Sequence, residues 1–552
     1  MRLLQDFVRD QAQERPDAIA VVMGGQSLTY GELESSTNRL ARLLKEFGCQ
    51  RQDRIAFAIP KSPAAIVAIL AILKADCVHI PLDTASPAPR VAKILRAADP
   101  HMVLGASASA NLLRELFAHE GLSPKLVVGW MDEVGPHSLE LNTAFSMEDV
   151  AACSSEGLNY ENQPDDPAHI LFTSGSTGEP KGVVITHANV LHFIDWAVRY
   201  FGMNASDRVS GHPPLHFDLS TFDIFGAFAS GAALYLVPAK LSLLPNMLAD
   251  FIRESELTQW FSVPSALNYM AKFDVVKEGD FPSLKRLLWC GEVFPVPALR
   301  YWMERLPHVQ FTNLYGPTET TIASSYYTVT ASPDDSVQSI PIGTACEGES
   351  LTVLDESLQP VAEGEVGDLF IGGAGLSPGY WRNSAATQAA FITGPGGSRL
   401  YRTGDLAKVG SDGLVYFVGR ADTQIKSRGY RIELGEIEGA LAAIPELKQS
   451  AVVALATEGF ETNLICCAYV SQEDIPFGPV DLRRRLSAVL PTYMLPSHWL
   501  KLALLPENAN GKIDRPTLRK VFSEHISQQT LDGEQSKDET IHLPLASRAT
   551  VT

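Results

Sequence analysis

The sequence lacks a long apolar run. The longest, Ala64 to Leu73, is ten residues, about half of the ~20 that a membrane-spanning helix requires. It reads as a buried helix, and the chain as a soluble, cytoplasmic protein. The first residues, Met1 to Phe7, turn polar after Leu4 and do not make the apolar stretch of a signal peptide. Positive charge is scarce too: 45 Lys and Arg against 64 Asp and Glu give a net charge of −19. That argues against non-specific attraction to nucleic acid or anionic membranes, so any phosphate binding has to be a local arrangement. The seven cysteines, Cys49, Cys77, Cys153, Cys290, Cys346, Cys466 and Cys467, are scattered and contain no Cys-x-x-Cys pair. They read as reduced, mostly buried thiols and exclude a zinc site or a disulfide framework. Gly-Lys-Ser/Thr at Walker A spacing is also missing.

What the chain does have is room and alternation. Its 552 residues can hold two or more domains. Thr29 followed by Glu32 fits a capping box that starts a helix reaching Phe47. Then Arg54 to Ile59 reads as strand, Pro63 to Lys74 as helix and Cys77 to Leu82 as strand. This alternation continues to about residue 135 and resumes from 168 to about 330. It predicts an α/β fold of layered, mostly parallel sheets covered by helices. Residues 136–167 are polar and patternless and read as a surface excursion. Short strands between glycine turns over 340–420 suggest a small β-barrel or sheet. A smaller α+β unit follows the Gly419-Arg420-Ala421-Asp422 run and ends near Phe522. The polar residues 524–552 read as a disordered tail.

One stretch stands out chemically: Thr173-Ser174-Gly175-Ser176-Thr177-Gly178-Glu179-Pro180-Lys181-Gly182, after the apolar strand Ala168 to Phe172. Glycines let backbone N–H groups converge on one anion, hydroxyls add donors and Lys181 adds charge. Its order resembles the phosphate loop of the adenylate-forming enzymes, which include acyl-CoA synthetases, luciferases and the amino-acid adenylation domains of nonribosomal peptide synthesis. Four further motifs line up with that family, and together with weaker ones they cover roughly residues 28–515.

The resemblance implies specific roles. In Asn313-Leu314-Tyr315-Gly316-Pro317-Thr318-Glu319, the tyrosine would stack on adenine, Thr318 would touch the α-phosphate and Glu319 would hold Mg²⁺. In Tyr401-Arg402-Thr403-Gly404-Asp405, the aspartate would accept both ribose hydroxyls. In the run 419–438, Arg420 would contact ribose or phosphate, Asp422 would be the hinge, and Gly429 would lie in a loop that approaches the site in the second half-reaction. Phe417 departs from the family's usual tyrosine, so a ribose contact is not expected there. In Asn508-Ala509-Asn510-Gly511-Lys512, the lysine would be the mobile catalytic cation. The implied domains are 1–421, a nucleotide-binding core, and 422–523, a mobile unit carrying Lys512.

Within the family, His216-Phe217-Asp218-Leu219 favours the amino-acid branch, with Asp218 matching the aspartate that pairs with a substrate α-ammonium. The matching pocket positions are Leu219, Phe222, Ala266, Leu288, Cys290, Gly291, Leu314, Ile322 and Ala323, all apolar or nearly so. The run Leu287-Leu288-Trp289-Cys290-Gly291-Glu292-Val293 and the Phe217-Asp218-Leu219-Ser220 motif resemble free-standing D-alanine and L-proline carrier-protein ligases, which implies a small or medium neutral amino acid. The expected reaction uses ATP and Mg²⁺ to make aminoacyl-AMP with release of pyrophosphate. A phosphopantetheine thiol then takes the aminoacyl group. No Gly-x-Ser attachment site follows residue 522, so a separate carrier protein is expected. The alternatives are an acyl-CoA ligase for a non-amino acid and a non-catalytic adenylate-binding scaffold.

Overall fold

The structure, a computed structural model, describes residues 2–118, 126–132, 143–175, 178–334, 337, 339–456, 463–472, 477–508 and 512–532. Ser176 and Thr177 of the expected phosphate loop, residues 509–511 and the tail beyond 532 lie outside them. The chain forms two compact units. The larger draws on Met1–Thr84, Val91–Thr173 and Pro180–Asp422, and the smaller on Ala85–Arg90, Ser174–Glu179 and Thr423–Thr552.

The larger unit is built on a nine-stranded and an eight-stranded sheet, both mostly parallel, and a five-stranded antiparallel sheet. Its apolar core runs from strand residues of both large sheets (Ile55 and Phe57; Leu234, Phe261 and Leu288) through four helices. These are Tyr30–Glu46, Pro63–Lys74, His187–Phe201 and Leu219–Ser230. The helix Pro63–Lys74 is the apolar run seen in the sequence; Ser62 caps it by accepting from the Ala65 N–H, and all but one of its residues are buried. Among the described residues no helix is long and apolar enough to cross a membrane. Thr29 and Glu32 form the expected capping box.

Period-2 geometry separates the two faces of the nine-stranded sheet. Phe261, Leu288, Cys290 and Leu314 join the inner core, whereas Trp260, Leu287, Trp289 and Phe311 pack outward against the helices Pro245–Glu254, Pro264–Lys272 and Val296–Arg305. In the smaller unit a three-stranded sheet, Leu447–Ala456, Asn463–Ser471 and His498–Lys501, buries one face against the helices Leu434–Ala442 and Pro479–Ser487. The other face packs on the helix Arg515–Asp532.

Two expectations need correction. Residues 136–167 are not wholly a surface excursion: Thr143–Phe145 adds an edge strand parallel to Val127–Trp130, and Met147–Ala152 is a helix. The cause is packing. A Cβ on Gly129 would lie 2.3 Å from Phe145, so the ring fills the space that glycine leaves. Nor is residue 524 the start of disorder, because the last helix continues to Asp532. Its first turns are anchored by buried Leu518 and Phe522, and helix propagation costs little once a nucleus is fixed.

Four histidines, His79, His169, His187 and His212, are buried in the larger unit. Burial pushes His79 well below the ordinary range, His169 and His212 to about 3 and His187 to about 4. Unfolded histidines take up a proton near ~6.5, so below that pH the unfolded chain binds more protons than the fold. Stability therefore falls as pH drops from 6.5, by about 1.4 kcal/mol per pH unit for each histidine. Substituting His169→Gln should remove one such share. Urea unfolding between pH 6.5 and 4.5 should show a shallower loss, and an unchanged slope would mean that folded His169 titrates normally.

Candidate active site

The strand Gln310–Tyr315 runs parallel to Arg286–Cys290 and antiparallel to Ser325–Val329. At its carboxyl end the chain turns sharply. A Cβ on Gly316 would lie 2.6 Å from the Ala323 Cα, so only glycine passes there. A single 3₁₀ turn, Thr318–Thr320, follows, and then Thr321 and Ile322 take φ of 62° and 67°. Two successive β-branched residues in this region store strain, on the order of 1–3 kcal/mol each. The Thr321 hydroxyl, donating to the Gly375 carbonyl at 2.7 Å, helps to hold them. Glu319 is thereby turned inward and is 1% exposed, while Thr318 stays half-buried.

The phosphate-loop motif lies between two strands, Pro167–Thr173 and Lys181–Thr186, which pair antiparallel with Thr173 opposite Lys181. Lys181 thus starts a strand and has a fixed direction. Its Nζ lies 5.6 Å from the centre of the Tyr380 ring, and the Tyr380 hydroxyl donates to Glu319 Oε1 at 2.7 Å. One aromatic side chain joins the two charges, lysine on its face and carboxylate at its tip. Tyr380 has no assigned role among the sequence motifs. Nothing in local spacing marks it, because the contact crosses from a short strand, Gly379–Tyr380, that pairs with Lys181–Thr186. In the smaller unit, Ser174 donates its hydroxyl to the Arg431 carbonyl at 2.5 Å, and Gly178 (φ 78°) donates its N–H to the Gly175 carbonyl.

Asp405 is buried where two strands of the antiparallel sheet pair, opposite Arg420. Arg420 donates to its Oδ1 at 2.6 Å and the Tyr315 hydroxyl to its Oδ2 at 2.5 Å. Burial and the adjacent carboxylate push the Tyr315 phenol well above its usual range, so it remains a donor. Each carboxylate oxygen has a second lone-pair direction, roughly four sites in all, so Asp405 can still accept a diol. Arg420 also donates to both oxygens of Asp422, the last residue of the larger unit. Asn313 donates its side-chain N–H to the Pro341 carbonyl at 2.8 Å.

Asp218 is buried at the N-cap of the helix Leu219–Ser230, but its side chain accepts no capping bond from that helix. Leu219, Phe222, Leu288, Cys290, Leu314, Ile322 and Ala323 belong to one buried apolar cluster. Phe222 packs edge-on against Phe193 and Phe261 at 5.3 and 5.7 Å between ring centres. Ala266 is half-buried in the first turn of its helix, and Gly291 (φ 94°) ends the strand that carries Leu288 and Cys290. Lys512 is exposed in the smaller unit, in a turn where the Asn508 N–H donates to its carbonyl and its own N–H donates to Asn508 Oδ1.

Glu319 offers a carboxylate oxygen of the kind a hard cation takes, with the Tyr380 hydroxyl donating to Oε1. Tyr380→Phe keeps the ring under Lys181 but removes that donor. Losing a hydrogen bond to a buried charge should lower stability by about 1.5–3 kcal/mol. Urea unfolding measures it, and an unchanged midpoint would show that the bond is not made in solution.

The sequence model of the family described as AMP-binding enzyme matches residues 8–381. An L-proline carrier-protein ligase of Pseudomonas fluorescens is 35% identical over 93% of this chain and 98% of its own length. Tyrocidine synthase 1 of Brevibacillus parabrevis is 33% identical over 93% of this chain, which spans only 44% of that synthase. The crystal structure of the Vibrio cholerae adenylation domain AlmE with glycyl-adenosine-5'-phosphate superposes with a TM-score of 0.80 at 25% identity, covering 94% of this chain and 98% of that one. The sheets, the inward carboxylates and these likenesses agree: the chain belongs to the AMP-binding enzyme family, the adenylate-forming enzymes that its motifs resemble.

Proposed function

We propose that the protein activates a small or medium neutral amino acid with ATP as aminoacyl-AMP and passes it to the phosphopantetheine thiol of a carrier protein. The observation that carries this reading is Asp218, a buried carboxylate at the start of a helix whose Leu219 and Phe222 belong to the apolar cluster. A substrate α-ammonium is a charge-matched partner for a carboxylate at that position. Relatives support the reading: one is named for L-prolyl carrier protein, and the AlmE domain holds a glycyl adenylate.

Asp405 accepts the ribose hydroxyls, with Tyr315 and Arg420 fixing its orientation. Lys181 and the loop N–H groups receive the phosphates. Mg²⁺, held by Glu319, would neutralise charge on the α-phosphate during in-line attack by the substrate carboxylate. Thr318 stands next to that glutamate and donates its hydroxyl to the same phosphate. Lys512 brings a flexible ammonium to the attacking carboxylate and α-phosphate. Pyrophosphate leaves; in the second step the thiol sulfur bonds to the acyl carbon and AMP leaves. Asp422 is the hinge on which the smaller unit turns between the two steps.

An ATP–pyrophosphate exchange screen over D- and L-amino acids, β-amino acids and simple acids tests the substrate class. Alanine, proline and valine should exchange, and lysine should be poor. Asp218→Ala should reduce amino-acid exchange at least thirtyfold, because losing a buried charge pair costs on the order of 2–5 kcal/mol. Propionate turning over as well as alanine in the wild type would replace this reading with an acyl-CoA ligase. Lys512→Ala should cut adenylate formation about a hundredfold or more, one transition-state donor being worth roughly 2.7–4 kcal/mol. Thiol transfer from presynthesised aminoacyl-AMP should change far less, and equal losses in both steps would remove Lys512 from its assigned role.

A further inference from the structure

Behind the apolar wall lies a polar cluster that no motif pointed to. Lys61 stands in the turn between the strand Arg54–Ala58 of the eight-stranded sheet and the helix Pro63–Lys74. Its Nζ reaches across to the nine-stranded sheet and donates to the Gly211 carbonyl at 2.8 Å and the His212 carbonyl at 2.5 Å. These carbonyls end the strand Arg208–Gly211 and open the connection that delivers Asp218. Asp223 is wholly buried in the helix Leu219–Ser230, where burial pushes its carboxyl well above the usual carboxylate range and the His212 backbone N–H acts in the opposite sense. Lys61 is the cation whose charge acts on it. The His212 ring is fixed as well: Nδ1 lies 3.1 Å from the Ser262 hydroxyl, Nε2 lies 3.3 Å from the Ser242 hydroxyl, and the ring stacks on Trp260.

We propose that Lys61 is a positioning residue of the amino-acid site. Its Nζ braces the 211–218 connection against the neighbouring sheet through the Gly211 and His212 carbonyls. The inference rests on the assignment of Asp218 to the substrate ammonium. The brace fixes the start of the short connection that ends at Asp218, so the direction of Asp218 depends on a residue 157 positions earlier in the chain. The ribose side of the site, at Asp405, is held by Tyr315 and Arg420 instead. The brace should therefore set affinity for the amino acid and leave affinity for ATP alone.

Exchange kinetics with the full chain test this. Lys61→Met should raise the KM for alanine or proline roughly tenfold or more with the KM for ATP changed less than about twofold, and Lys61→Arg should recover most of the loss. In an Asp218→Ala background the same Lys61→Met change should add less than about twofold, since the carboxylate it orients is gone. Equal effects on both KM values, or an undiminished effect in that background, would overturn the proposal. Should Lys61→Met not fold, the pair Lys61→Met/Asp223→Leu removes both buried ionisable groups together. A recovered thermal midpoint with the amino-acid KM still high supports positioning; recovery of both means the pair only stabilises. A wild type that exchanges with des-amino acids alone defeats the substrate assignment itself. An amino-acid-specific wild type with independent Lys61 and Asp218 effects defeats only the brace.

Discussion

A carboxylate taken out of water has to be held, and this requirement organises the larger unit. Glu319, Asp405, Asp218 and Asp223 are 1%, 3%, 8% and 0% exposed. Glu319, Asp218 and Asp223 follow the carboxyl end of a parallel strand, where an α/β sheet opens to ligands, whereas Asp405 lies within a strand of the antiparallel sheet. The donors that hold them come from elsewhere in the chain: Tyr380 for Glu319, Tyr315 and Arg420 for Asp405. An isolated buried anion would surrender its charge by taking a proton. The partners therefore decide which of these acids can meet a cation, a sugar or an ammonium, and they fix where each oxygen points.

Arg420 shows how the holding is shared. It donates to Asp405 and, through two further bonds, to Asp422 at the border of the larger unit. A carboxylate assigned to nucleotide and a carboxylate assigned to the hinge draw on one guanidinium, whose planar fork serves both without rotation. Burial alone would pull this arginine down, yet its two acidic partners hold it above the ordinary range. The charge on Arg420 is therefore constant, and what can vary is how it is divided.

Much of this was legible beforehand, because alternation of apolar strands with amphipathic helices is a strong signal and the motifs stand in a specific order. The capping box at Thr29 and the buried helix Pro63–Lys74 needed only local rules. Other parts were beyond such rules. Val183 to Ile185 is an apolar run that fits a parallel or an antiparallel strand equally well, so the hairpin that fixes Lys181 could not be read. Phe145 marks an edge strand only once Gly129 is known to leave room for it. Tyr380 and Lys61 act across the fold on partners far away in sequence, and neither residue type is unusual where it stands. The end of the last helix was misjudged because residues 524–532 are polar, although Leu518 and Phe522 already anchor the turns before them.

The turn at Thr321 and Ile322 bears on how such a site can change its preference over evolutionary time. Ile322 lines the apolar wall, yet its backbone lies where a branched side chain is disfavoured. Replacements that ease the backbone, glycine above all or asparagine, are the ones that empty or wet the wall. Those that keep the wall apolar retain the strain. Stability and selectivity are thus opposed at one residue. The route to a differently shaped pocket runs more easily through Leu288, Cys290 and Leu314, whose strand backbone accepts nearly any side chain.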